Sequence, residues 1–145
     1  MIEKPPSSPA VTSAEKDYEM DTVEVRAIQF AHDPVSYLSE FYTFKLDSGF
    51  DEQAAVFKIV DEFEAVVAVM QGNELQTENV YLQQYLESDD AFLEKRAFVH
   101  LLKEAGVAED QFMVWADMED IDGTAEERLQ ERSYRRIIRD VYEVE

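Results

Sequence analysis

The sequence predicts an α+β domain of four or five helices with a small antiparallel sheet of two or three strands. Two observations predict this class. Apolar residues at helical spacing fill most of residues 51–142, whereas residues 22–30 alternate between apolar and polar side chains, as a half-buried strand does. Residues 111–118 (QFMVWADM) fit either a strand or a short helix. An all-α domain is the alternative, with 111–118 helical and 22–30 a bound arm.

The chain has the length of one domain. Its 145 residues are 46% hydrophobic, which suffices for a packed core. Residues 1–21 combine three of the four prolines with Ser, Thr and scattered charge, so we expect a flexible N-terminal tail. Residues 22–145 then form a single acidic globular domain.

The N-terminal elements are predicted to be short. Val23, Val25 and Ala27 alternate with polar residues, which indicates a strand over Thr22–Phe30. Asp33-Pro34 supplies a helix N-cap and a favoured first helical residue, so a short helix runs from there through residue 42. Residues 44–46, before an Asp-Ser-Gly turn, are predicted as a second strand.

The central element is a helix over residues 52–71 that ends at Gly72. Its apolar residues recur at helical spacing: Val56, Ile59, Val60, Phe63, Val66, Val67 and Met70. The stretch 65–70 has no charge on any side, which is typical of a core or interface helix. Glycine after the last periodic residue is a common helix C-terminal signal.

Helices follow at residues 77–87 and 89–105, and a last one at 125–142. The second should end at Gly106, and its inner residues are Leu93, Ala97, Phe98, Leu101, Leu102 and Ala105. The last begins with a Thr124–Glu127 capping box.

Composition excludes several classes of function. The 33 Asp and Glu residues against 13 Lys and Arg leave a net charge of -20, which opposes direct binding to nucleic acid or to anionic lipid. The absence of cysteine removes disulfides and thiolate chemistry. All four glycines fall in turns or at helix ends, so we expect no phosphate-binding loop and no cofactor.

Catalytic and metal-binding motifs are not visible. His100 is interpreted as a packed histidine rather than a general base or pH sensor, because no motif names a partner for it. Residues 117–123 suggest a calcium loop, but Met118 and Leu129 occupy two essential ligand positions. We therefore expect no metal site and no enzyme, with a carboxylate-dependent hydrolase as the weakest hypothesis.

The positive signal is the arrangement of charge. Residues 1–123 hold 8 basic and 27 acidic side chains. Acids concentrate on the long helix and before the last helix, and we predict that these bind a partner: Asp61, Glu62, Glu64, Glu109, Asp110, Asp117, Glu119, Asp120 and Asp122. The last helix carries five arginines, interpreted as internal neutralisation of the acids: Arg128, Arg132, Arg135, Arg136 and Arg139.

These features favour a non-enzymatic, acidic protein-binding module. Its 20 net charges equal those of about 34 Å of duplex DNA, so the leading hypothesis is a nucleic-acid-mimicking inhibitor of phage or mobile-element type. It would cover the basic, nucleic-acid-binding surface of a host protein. Small acidic secretion chaperones and phage-encoded inhibitors have a similar size and charge, a resemblance of composition alone.

The alternative is an assembly chaperone or virion-associated structural protein that acts through apolar helix faces. Tyr81, Leu82, Tyr85 and Leu86, together with the stretch 65–70, offer apolar surface for this purpose, so we also expect a homodimer or larger assembly. No apolar run is long enough to span a membrane. We expect the protein in the cytoplasm, that of a bacterial host if it is phage-encoded.

Overall fold

A computed structural model describes residues 22–121 and 133–143. Within these ranges the chain forms seven helices and no strand, so the predicted α+β class is wrong and the all-α alternative is correct. The helices are α1 (Val23–His32), α2 (Pro34–Asp47), α3 (Glu52–Asn73), α4 (Val80–Glu87), α5 (Ala91–Glu104), α6 (Glu109–Ile121) and α7 (Tyr134–Glu143).

The segment predicted as the first strand is helix α1. The Thr22 hydroxyl caps it by accepting a hydrogen bond from the Val25 amide at 3.2 Å. Ala27, Phe30 and Ala31 are buried, at the i, i+3, i+4 spacing of a helix face. Val25 is 41% exposed, so the apolar alternation that suggested a strand did not report burial.

The other two strand candidates are also helical. Residues 44–46 are the last turn of α2, and Phe44 is buried there beside Phe41. Residues 111–118 lie within α6, where Phe112, Trp115 and Ala116 are buried. Phe41 and Phe44, and likewise Phe112 and Trp115, are buried three residues apart, a spacing that a strand would place on opposite faces.

Helix α3 is the centre of the fold. It packs against α1, α2 and α6, while α5 packs against α2, α4 and α7. The predicted inner face of α3 is confirmed, because every residue of the predicted stripe is buried: Val56, Ile59, Val60, Phe63, Val66, Val67 and Met70. A 22-residue helix buried along this face fixes the positions of its neighbours.

Two aromatic rings join the halves of the core. Phe63 of α3 and Phe98 of α5 have ring centroids 4.9 Å apart. Phe63 also meets Phe30 of α1 at 5.7 Å and Tyr85 of α4 at 5.0 Å. Phe98 in turn meets rings on α6 and α7: Phe112, Trp115 and Tyr134.

The end of α3 differs from the expectation. The helix continues through Gly72, and the left-handed position falls on Glu74, with φ of 55°. The Leu75 amide donates to the Met70 carbonyl and the Glu74 amide to the Gln71 carbonyl, which is the Schellman pattern of hydrogen bonds. Gly106 does hold the expected position after α5, with φ of 103°. The predicted cap at Gly72 is therefore wrong, and the one at Gly106 is confirmed.

Helices α4 and α5 begin later than predicted, at Val80 and Ala91. Leu93, expected on the inner side of α5, is 49% exposed. The last helix is described from residue 134, and the segments 1–21 and 122–132, with Asp122, Arg128 and Arg132, lie outside the described residues.

Among the helices that the structure describes, none is both long enough and apolar enough to cross a membrane. The longest, α3, carries Lys58, Asp61 and Glu64 along its exposed side.

The end of α3 gives a paired test of stability. Gly72→Ala should stabilise the protein by roughly 0.5 kcal/mol, because Gly72 is helical and nothing lies within 4 Å of an added Cβ. Glu74→Gly should stabilise it by about 1 kcal/mol, because glycine adopts the left-handed conformation without a side-chain penalty. Chemical denaturation measures both. A destabilised Gly72→Ala protein would instead place the left-handed residue at position 72.

Candidate acidic interface

Two acidic segments that are distant in sequence meet where α3 packs on α6. Asp61 and Glu64 are one turn apart on α3, and both are exposed. Glu119 of α6 follows Phe112, Trp115 and Ala116 at helical spacing, so the stripe that docks α6 in the core ends in a carboxylate. The packing of α6 on α3 thereby places Glu119 beside the acids of α3.

The pKa of Glu64 reflects its surroundings at the contact between α3 and α6. Partial burial raises it above its ordinary value of 4.5, and the negative charges of Asp61 and Glu119 raise it further. A raised pKa means that the ionised carboxylate is penalised in the folded state. At pH 7 Glu64 therefore costs stability, and this cost is lost as the pH falls through the raised pKa towards 4.5.

Two phenols lie among these acids. Burial, followed by the charges of Glu94 and Glu64, raises the pKa of Tyr85 to about 12. Burial is likewise the main cause of the raised pKa of Tyr134, with further contributions from Tyr85, Glu119, Glu64 and Glu94. Helices α3, α5 and α6 thus all supply carboxylates to one region. We call its four acids the acidic face: Asp61, Glu64, Glu94 and Glu119.

Sequence reasoning missed Glu94. The available signal was its position one turn before Phe98, which places the Glu94 carboxylate on the side of α5 that faces α3. A nearby cation is Lys95, whose Nζ lies 4.8 Å from the ring centroid of Tyr134. The phenol rings of Tyr85 and Tyr134, and Lys95, therefore lie next to the acidic face.

Glu62, predicted to bind a partner, is buried in the fold. Its side chain is 9% exposed, and its Oε2 lies 2.8 Å from Nε of Arg26. The Tyr37 hydroxyl donates a hydrogen bond to the same oxygen. One carboxylate thereby connects α1, α2 and α3, and Glu62 is not part of the acidic face.

Asp117 and Asp120 contact α7. Nη1 of Arg135 lies 2.7 Å from Oδ1 of Asp117, and both side chains are about half exposed. The two carboxylate oxygens of Asp120 accept hydrogen bonds from the backbone amides of Tyr134 and Arg135, at 3.0 and 3.1 Å. Asp120 thus caps the first turn of α7, and one arginine of that helix neutralises an acid of α6, as the sequence suggested.

Glu109 and Asp110 lie at the opposite end of α6. Ten residues of helix separate Glu109 from Glu119, a rise of about 15 Å. Their charges act on other phenols, since Glu109 adds to the burial that raises the pKa of Tyr142. Asp110 contributes in the same way at Tyr42, after burial and Glu52. The acids predicted before the last helix are therefore divided between the two ends of α6.

His100, interpreted from the sequence as a packed histidine, is stacked on an aromatic ring. The imidazole of His100 stacks on Tyr81 with ring centroids 4.3 Å apart and planes within 3°. Burial, with the charges of Arg96 and Lys103, lowers its pKa.

The segment that suggested a calcium loop is not a loop in its described part, because residues 117–121 are helical. Within 22–121 and 133–143, no three His, Asp or Glu side chains are placed to hold a metal ion.

The apolar residues that suggested self-association are largely used by the core. Leu82 is fully buried, and Val66, Val67 and Met70 are each at most 4% exposed. Tyr81, Tyr85 and Leu86 are half-buried and pack against the same core. A second copy would therefore find little of this surface available, and self-association stays a prediction.

The two ion pairs predict a contrast in stability. Glu62→Gln should lower the free energy of unfolding by about 3 kcal/mol, because it removes the negative charge that lies 2.8 Å from the mostly buried Arg26 guanidinium. Asp117→Asn removes an exposed pair and should cost less than about 1 kcal/mol. Urea denaturation of both variants measures the difference. Equal losses would contradict the assignment of Glu62 to the core.

The chain matches no protein-family model, no curated protein and no solved structure. Its function must therefore be inferred from the charges, contacts and burial of its own residues.

Proposed function

We propose that the protein is a non-enzymatic binding module whose acidic face docks on a basic surface of a nucleic-acid-binding protein. The observation that carries the proposal is the meeting of Asp61, Glu64 and Glu119, supplied by two helices. Burial, together with the like charges of Asp61 and Glu119, raises the pKa of Glu64, so its ionised carboxylate costs stability at neutral pH. A cationic partner would repay this cost on binding.

The region has features that suit a protein partner. It combines exposed carboxylates with the half-buried ring of Tyr134, on whose phenol the charges of Glu119, Glu64 and Glu94 act. Aromatic side chains are enriched in protein interfaces, and Lys and Arg stems cover such groups well. Carboxylates set among apolar atoms therefore favour lysine- or arginine-rich protein surfaces over small cations.

The charge of the whole chain narrows the kind of partner. A net charge of -20 repels phosphate, so nucleic acid itself is not the expected ligand. The same charge is attracted to the surfaces that proteins use to bind nucleic acid, where Lys and Arg cluster. Competition between this protein and a polynucleotide for one basic surface follows from that complementarity.

The assembly hypothesis has less support. It depended on apolar helix faces, and Leu82, Val66 and Met70 are in the core. The acidic face is exposed on α3 and α6, so it remains available to a partner when the core is complete.

Matched charge variants test the proposal. The test variant carries Asp61→Asn, Glu64→Gln and Glu119→Gln, and the control carries Glu40→Gln, Glu78→Gln and Glu104→Gln, which are also exposed. Immobilised wild-type protein should capture basic nucleic-acid-binding proteins from a cell lysate, and duplex DNA should release them. The test variant should capture at least tenfold less, and the control should lose less than twofold.

Salt gives a second measurement of the same binding. Capture should weaken strongly between about 0.05 and 0.3 M salt, because exposed charge pairs are screened over that range. Capture that is indifferent to salt, or that is equal in the two variants, would overturn the proposal.

A further inference from the structure

An open groove of about 960 Å³ lies where α4 ends and α5 begins, and its lining includes none of the four acids of the acidic face. Its walls come from the last turn of α4, the connecting turn and the first two turns of α5. The lining residues are Gln84, Glu87, Ser88, Asp89, Asp90, Ala91, Leu93 and Arg96. Its size is within the range of sites that bind ligands or peptide side chains.

Two residues of the groove lining, Leu93 and Ala91, are apolar and exposed. Leu93 is 49% exposed, although the periodicity of α5 predicts it on the inner side of the helix. Ala91, also exposed, is its neighbour in the groove. A leucine at this position gains free energy if another apolar side chain covers it.

One end of the groove is acidic, and hydrogen bonds hold the turn that carries the acids. The carboxylates of Glu87 and Asp89 are exposed. The Asp90 carboxylate accepts a hydrogen bond from the Phe92 amide at 2.8 Å, and the Ser88 hydroxyl bonds to the Asp90 backbone at 3.0 Å. These bonds fix the turn, so a ligand would pay little to order it.

Arg96 gives the groove a direction. Among the described residues that line the groove it is the only basic one, and it lies five residues after Ala91, a rise of about 7.5 Å along α5, whereas Asp89 precedes the helix. A cation is therefore attracted to the end with Glu87 and Asp89 and repelled from the other end. The charges therefore favour a peptide in which all the basic residues lie on the same side of the apolar residue.

From this complementarity we propose that the groove binds a basic peptide segment of a partner protein, with its Lys or Arg residues at Glu87 and Asp89 and an apolar side chain on Leu93. The inference rests on the proposed function, because it takes the partner to be a basic protein. It adds a second contact and a requirement for an apolar side chain next to the basic residues. The acidic face alone would impose no such requirement.

Peptide probes test the groove directly. One capped hexapeptide has two lysines, a glycine spacer and two leucines followed by glycine, and its matched partner has serines in place of the leucines. The ¹⁵N–¹H NMR spectrum of the full chain is followed during titration with each. The leucine peptide should shift the amides of the groove lining (residues 84, 87–91, 93 and 96) and bind at least fivefold more tightly than the serine peptide.

Three variants assign the contacts. Leu93→Ser should abolish the preference for the leucine peptide, and the pair Glu87→Gln and Asp89→Asn should weaken both peptides. Val80→Ser is the control, because Val80 is 62% exposed and lies outside the groove lining. It should leave both affinities unchanged.

The triple variant of the acidic face separates this inference from the proposed function. With its groove intact, that variant should still prefer the leucine peptide. Shifts confined to the acidic face, or equal binding of the two peptides, would overturn the groove while leaving the acidic face in place. Undiminished basic-protein capture by the triple variant, with retained peptide binding in the groove, would overturn the acidic face instead.

Discussion

The contact between Phe63 and Phe98 is the interaction on which the rest of the structure depends. Their centroids lie 4.9 Å apart, and each ring extends the contact to other helices. Phe63 reaches α1 and α4, and Phe98 reaches α6 and α7. Helix α2 joins through Tyr37, which meets Phe30 at 6.0 Å. Such pairs add about 0.5–1.5 kcal/mol each beyond the burial of their area.

This core determines where the charges are placed. Since Phe63 is buried, its neighbour Glu62 is directed to Arg26 and Tyr37, while Asp61 and Glu64 are exposed. Packing of Phe112 and Trp115 against Phe98 fixes α6, and with it Glu119. The acidic face is thus a consequence of apolar packing, which overcomes both the partial burial of Glu64 and the repulsion between the carboxylates; burial first and repulsion second raise the pKa of Glu64.

The sequence predicts the long elements well and the short ones poorly. The stripe of α3 extends over four turns, so its period is unambiguous, and Phe63 and Phe98 are correctly placed in the core. In α1 a chance alternation of Val23, Val25 and Ala27 imitates a strand, and only the tertiary contact of Phe30 decides for the helix. Propensity and pattern over nine residues are too weak to override such packing.

The candidate site could likewise be predicted only in part. Dense acids on α3 and before the last helix are visible in the sequence, but their division into core, cap and surface is not. Glu62 is buried, Asp120 caps α7 and Glu119 joins Glu64, and each outcome depends on how distant helices pack. Glu94 lies outside the two acidic concentrations that the sequence analysis singles out, so the charge pattern did not identify it. Helical spacing from a core aromatic residue is the signal that would have found it.

The central claim is that Glu64 and Glu119 meet on one face although 55 residues separate them in sequence. The most direct measurement is the pKa of the Glu64 carboxyl group, obtained from the ¹³C NMR shift of its carboxyl carbon during a pH titration of the wild type and of Glu119→Gln. The wild-type pKa should lie above 4.5, and the substitution should lower it. It should remain above 4.5 in the variant, because burial and Asp61 still act on it. A wild-type pKa at or below 4.5, or one that Glu119→Gln leaves unchanged, would contradict the account.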